Sequence, residues 1–150
     1  MKRFHSQPLD LPAERERIAR ADLVFYGVDH SGPTYEARVF FDNPRATEGT
    51  PLDPEHGYAG SFTVFGHGGC FGAEGHCAPK DRYVDEFDRR PPHPLTPLTV
   101  TLTVTEALAR VKKRRARVHV VAVVRKSKMG RAPGADAIPA CDEVRLVTYA

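Results

Sequence analysis

Between Leu98 and Val104 the chain alternates without exception, with Leu98, Val100, Leu102 and Val104 on one side and Thr99, Thr101 and Thr103 on the other. A period of two sends the first set to a core and the second to solvent, which predicts a half-buried antiparallel strand. The run from Thr34 to Phe41 follows the same logic, with Tyr35, Ala37, Val39 and Phe41 opposite Glu36 and Arg38, and Phe40 breaking the pattern near its end. Four further segments read as strands: Ala21 to Val28, Tyr58 to Phe65, Arg117 to Val124 and Glu143 to Tyr149, the first and last of them apolar on both faces.

Proline and glycine punctuate the gaps, at His30-Ser31-Gly32-Pro33, at Asn43-Pro44, at Thr50-Pro51-Leu52-Asp53-Pro54 and through Pro79 to Pro97. Little room is left for helix. Glu14 to Arg20 suffices for two turns, and Thr105 to Arg115 for a similar length with Thr105 as its N-cap and Glu106 in the first turn. Short strands joined by long loops predict an all-β fold, an antiparallel β-sandwich of about six to eight strands with one or two short helices. At 150 residues the chain is expected to form a single domain, residues 1–150, with 1–13 and 126–139 as its mobile parts.

Composition narrows the setting. The apolar share of 41% and charged share of 27% are those of an ordinary globular protein. No run approaches the roughly 18 apolar residues of a membrane span, and no apolar segment follows Lys2 and Arg3, so a cytoplasmic setting without membrane contact is expected. The net charge of +3 conceals an asymmetry, because Arg110 to Arg131 holds ten basic residues and no acidic one, which leaves about −7 on the rest. Lys112, Lys113, Arg114 and Arg115 form its densest part and are the candidate docking patch for an acidic partner. No aromatic residue is interleaved to stack bases, which argues against nucleic acid.

Candidate chemistry concentrates in Gly66 to Cys77, which holds two of the three cysteines, two of the seven histidines and five of the twelve glycines. So much glycine after a strand predicts a loop. His67, Cys70, His76 and Cys77 offer two imidazoles and two thiols, a donor set that suits copper or zinc, Cu(I) or Zn(II). Phe71 stands among them as an aromatic at the expected loop tip, where a large apolar side chain serves as a partner-facing contact. Structurally, the same residues read as packed or bridged cysteines, histidines bonded to loop carbonyls and glycines in tight turns.

Two segments between Pro33 and Gly66 carry a family likeness. A strand ending in Val39-Phe40-Phe41-Asp42-Asn43-Pro44, followed about a dozen residues later by Ala59-Gly60-Ser61-Phe62 with Gly66 behind it, resembles the β-sandwich domain that follows the copper domain of type-3 copper proteins. These are the tyrosinases, polyphenol oxidases and molluscan haemocyanins. The resemblance implies that the redox chemistry lies elsewhere: in that family a helical domain holds two coppers with six histidines, and the sandwich covers its entrance, often inserting one bulky side chain as a plug. Phe71 is the candidate plug. No His-x-x-x-His pair occurs among the seven histidines here, so the chain resembles the accessory domain without its enzyme.

The expected function is accordingly a non-catalytic accessory or interaction domain, partnered by a separate tyrosinase-like copper domain or by self-association. The alternative is a small stand-alone copper- or zinc-binding protein, or a copper-delivery protein, using the 66–77 loop. Some fungal members of the family carry a sandwich cysteine pair linked to copper delivery, with a tighter spacing than Cys70 and Cys77 have. Titration of the purified chain with zinc or copper separates these readings. The metal reading predicts stoichiometric binding that disappears when Cys70 and Cys77 are both changed to Ser, and an unchanged isotherm in that double variant overturns it.

Overall fold

The structure is a computed structural model and describes residues 3–30, 32–66, 96–124 and 140–150. Nine strands account for most of it: β1 (Arg3–His5), β2 (Leu9–Asp10), β3 (Arg20–Val28), β4 (Tyr35–Phe41), β5 (Tyr58–Val64), β6 (Leu98–Thr103), β7 (Arg115–Ala116), β8 (Val118–Val124) and β9 (Glu143–Tyr149). They form a four-stranded sheet in the order β1-β8-β4-β5, a three-stranded sheet in the order β6-β3-β9 and a two-stranded ribbon of β2 with β7. Every pairing is antiparallel.

The two larger sheets face each other across one core. Leu23 and Phe25 of β3 and Val144 of β9 meet Ala37 and Val39 of β4, Val64 of β5 and Val118 and Val120 of β8. The Phe25 and Phe62 rings, from opposite sheets, lie 5.0 Å apart between centroids. The all-β sandwich expected from period two is therefore the fold. All six predicted strands are present within a residue or two of their expected ends, and the three additional ones are only two or three residues long, too short for any periodic signal.

Phe40 explains its own exception. Together with Ala46 and Val121, and against the partly buried Tyr58 and Val123, it forms a second small core on the outer side of the β4–β8 pair. The segment after β4 folds back to cover this face. Arg38 donates to the Glu48 carbonyl at 2.8 Å, Arg3 to the Pro44 carbonyl at 3.1 Å, and the Asn43 amide to the His56 carbonyl at 2.8 Å. Gly57 closes the fold-back at φ 77°, and a Cβ there would lie 2.3 Å from the Phe41 carbonyl oxygen. Only glycine fits that approach. β8 is consequently buried on both faces over Val118–Val121, whereas the outer residues Glu143, Arg145 and Tyr149 of β9 stay exposed.

Residues 3–13, expected to be mobile, contribute two strands to the fold, and two helix expectations need correction. β1 pairs with β8, and the backbone of Ser6 donates to the Val118 carbonyl at 2.8 Å while its hydroxyl accepts from the Val118 N–H at 2.8 Å. Glu14 to Arg20 makes no two-turn helix but a single 3-10 turn at Arg15–Arg17, because Arg20 is already paired with Tyr149 in the sheet. The second helix, α1, runs only Thr105–Arg110, and Val104 occupies its N-cap position. Thr105 Oγ1 instead accepts from the Ala21 N–H of β3 at 3.0 Å, a sheet tie that replaces capping. Residues 126–139 lie outside the described residues. Among the described residues no helix is long and apolar enough to cross a membrane.

If the outer cover is a true second core, truncating Phe40 costs as much as truncating a central core aromatic. Phe40→Ala is expected to lose about 3–5 kcal/mol in urea unfolding. A loss below about 1 kcal/mol, the range of an exposed position, would show that the 42–57 segment does not cover this face.

Candidate functional site

The two candidate regions from the sequence attach to opposite ends of the sandwich. The segment carrying His67, Cys70, Phe71, His76 and Cys77 lies outside the described residues, but its anchors do not. The Gly66 N–H donates to Thr34 Oγ1 at 3.0 Å, and His30 Nε2 lies 2.9 Å from the Thr96 carbonyl. Val124, the last described residue of β8, pairs with Tyr35, and the Ala140 carbonyl accepts from the Asp29 N–H at 3.0 Å. Both long connections, 67–95 and 125–139, therefore leave and return beside residues 28–35.

At that end the described side chains pack on the core. Cys141 packs on the main core beside a small gap lined by Phe4, Phe25, Tyr35 and Phe62 among others. Burial, with Asp142 nearby, pushes its thiol up to about 11, so it is a protonated packing residue rather than a nucleophile. Tyr35 is likewise pushed up to about 12, first by burial and then by Asp29 and Cys141. Neither side chain offers a titrating group near neutral pH.

The basic patch lies at the other end of β4, about 20 Å away along a seven-residue strand. Lys112, Lys113, Arg114 and Arg115 follow α1 and lead into β7, and all four are exposed. Three carboxylates, two of them remote in sequence, neutralise part of this charge. Lys113 pairs with Asp42 at 2.8 Å, Arg115 with Asp10 at 2.5 Å, and Arg110 more loosely with Glu106 at 3.5 Å. Lys112 and Arg114 make no ion pair with any described residue. The Arg15 guanidinium donates to the carbonyls of Val111 and Lys113, which fixes the backbone that carries the patch.

Asp42 joins this patch to the sheet. It sits at φ 50°, and its carboxylate accepts from Lys113 Nζ and from the Arg117 N–H, each at 2.8 Å. Burial pushes its carboxyl up, but these two donors and the Lys113 charge outweigh that and hold it below the usual carboxylate range. Aspartate tolerates the left-handed backbone better than most residues, so this position suits both the turn and the ion pair.

A third feature has no local signal in the sequence. His5 of β1 and His119 of β8 face each other across their strand pair with Nδ1 atoms 2.6 Å apart. One ring must donate while the other accepts, so the pair holds one proton on that axis and resists a second. Burial and the neighbouring His5 drive His119 down to about 4, with Arg117 adding to the effect and Asp42 opposing it. Among the described residues no three or more histidine, cysteine, aspartate or glutamate side chains are grouped to hold a metal ion.

No family model and no curated protein matches the chain in sequence. Solved structures do match in fold. Over 98% of its length the chain resembles 24% of a recombinantly expressed latent aurone synthase (polyphenol oxidase), with a TM-score of 0.52 at 19% identity. The latent aurone synthase (polyphenol oxidase) from natural source gives 0.53 at 18% identity, again over 98% of this chain and 24% of that one. The chain thus spans about a quarter of the proteins it resembles, and at these identities the likeness is one of fold.

His119 sets a pH dependence with a defined sign. Its folded value of about 4 lies below the ordinary 6.5, so between these values the unfolded chain binds a proton that the folded chain refuses. The stabilisation is complete above about 6.5 and is lost as the pH falls toward about 4. Melting temperature should fall across that window, and His119→Gln should flatten the slope even if its own stability is lower. Equal slopes in the two proteins would remove His119 as the cause.

Proposed function

We propose that this chain is a non-catalytic accessory domain that works against a separate tyrosinase-like copper domain. The observation that supports it is an asymmetry of coverage: nearly all of this chain corresponds to one quarter of a polyphenol oxidase. The copper domain that the sequence resemblance implies is helical. The described residues instead hold nine strands and a single six-residue α-helix.

The face turned to the copper domain is, in this reading, the end of the sandwich beside residues 28–35, where both long connections depart. An end framed by paired strands suits such a role, since the sheets fix where a loop begins and returns while its side chains address the partner. Phe71 is the plug candidate on the longer connection.

Mixing the purified chain with a helical di-copper domain that lacks its own sandwich tests this directly. A 1:1 complex in light scattering, with slowed turnover of a phenol, is expected. Phe71→Ala should restore turnover while leaving the complex intact. No complex and no change in turnover at any molar excess overturns the reading. If the chain alone runs as a dimer and ignores the copper domain, self-association takes its place.

A further inference from the structure

Between the C-terminal end of α1 and the turn after β4 lies a groove of about 240 Å3. Its floor is apolar, made by Phe41, Tyr58 and Val111, and its rim carries Arg110, Lys112 and Lys113. The volume falls below the roughly 300–1,000 Å3 of sites for drug-sized molecules, so it suits one large side chain. Asp42, the one carboxylate lining it, is engaged by Lys113 Nζ and the Arg117 N–H. Arg15 draws the carbonyls of Val111 and Lys113 toward itself, which removes two acceptors from the rim and holds the neighbouring cations in place.

We propose that this groove docks an acidic peptide segment of a partner protein, seating one aromatic side chain on the Phe41, Tyr58 and Val111 floor and its flanking carboxylates against Arg110, Lys112 and Lys113. Charge complementarity selects the occupant. From residue 110 to 117 there are six cations and no carboxylate, and Asp10, Asp42 and Glu106 offset only half of them. Lys112 lines the groove without an ion pair among the described residues, and it is the cation that a peptide carboxylate would meet at no cost of breaking an existing pair. A nucleic acid strand would want several stacking platforms in register with its bases, whereas this floor holds one pocket.

The groove stands at the opposite end of β4 from the face assigned to the copper domain, so the two proposals fail independently. Fluorescence anisotropy with a fluorescein-labelled peptide Gly-Asp-Asp-Phe-Asp-Glu-Gly, titrated with the full chain, tests it. Saturable binding is expected, weakening at least about tenfold between roughly 50 and 300 mM NaCl, as a rim of exposed charges requires. A peptide with Ala in place of Phe should bind at least about tenfold more weakly, as loss of a buried anchor does. Lys112→Glu should abolish binding. Asp42→Asn should tighten it, because asparagine keeps the turn and the bond from the Arg117 N–H while removing the competing charge. Absence of saturation, equal affinity for the Ala peptide, or indifference to Lys112→Glu each overturns the proposal. So does displacement of the peptide by a tighter-binding oligodeoxythymidine, which would assign the surface to nucleic acid.

Discussion

Seven residue pairs join β4 to β8, from Tyr35 opposite Val124 to Phe41 opposite Val118, and they run without a bulge. The pair carries apolar side chains on both sides, Val39, Val118 and Val120 inward and Phe40 and Val121 outward. A sheet so built has to be covered twice. The second sheet covers the inner face. On the outer face the 42–57 segment supplies Ala46, and β1 lies alongside with Arg3 reaching to the Pro44 carbonyl. Folding the 42–57 segment back places Asp42 where it meets Lys113 and Arg117, and placing β1 beside β8 brings His5 onto His119. The groove and the histidine pair are thus by-products of covering one pair of strands.

How much of this could be read from the sequence follows from the range of each interaction. The strict alternation from Leu98 to Thr103 and from Tyr35 to Val39 is local, and both strands lie where that pattern puts them. Phe40 looked anomalous only because alternation assumes one wet face, and the cover for the other face comes from a segment with no periodicity. β1, β2 and β7 are too short to repeat a pattern and exist through their partners alone. Thr105 has the composition of a cap, but its hydroxyl is taken by a backbone donor 84 positions away. His5 and His119 are 114 apart, and nothing in either neighbourhood points to the other.

The candidate sites divide in the same way. Clustering of candidate ligands and cations along the chain picks out two regions, and the described residues that flank the first lie at the opposite end of one seven-residue strand from the second. Linear clustering carries no information about that separation. Its consequence is physical: charge at Lys112 lies about two Debye lengths from a contact made beside residues 28–35 at physiological salt. A single partner engaging both ends would have to span the sandwich. Two separate contacts need no such reach.

Charge counting along the chain also overstates what the basic run presents. Ten cations without an acid suggest a uniform positive field, yet Asp10 and Asp42 from distant positions, and Glu106 one turn earlier on α1, meet Arg115, Lys113 and Arg110. These exposed pairs add little stability each, so their main effect is to redistribute potential. Among the described residues of the run, the cations left without a carboxylate are Lys112, Arg114 and Arg117, and of these Lys112 borders the apolar floor. A cation over open solvent attracts any anion weakly. A cation beside a pocket that shelters one side chain distinguishes a carboxylate that brings an aromatic residue from one that does not, and here the fold, rather than the number of lysines, creates that distinction.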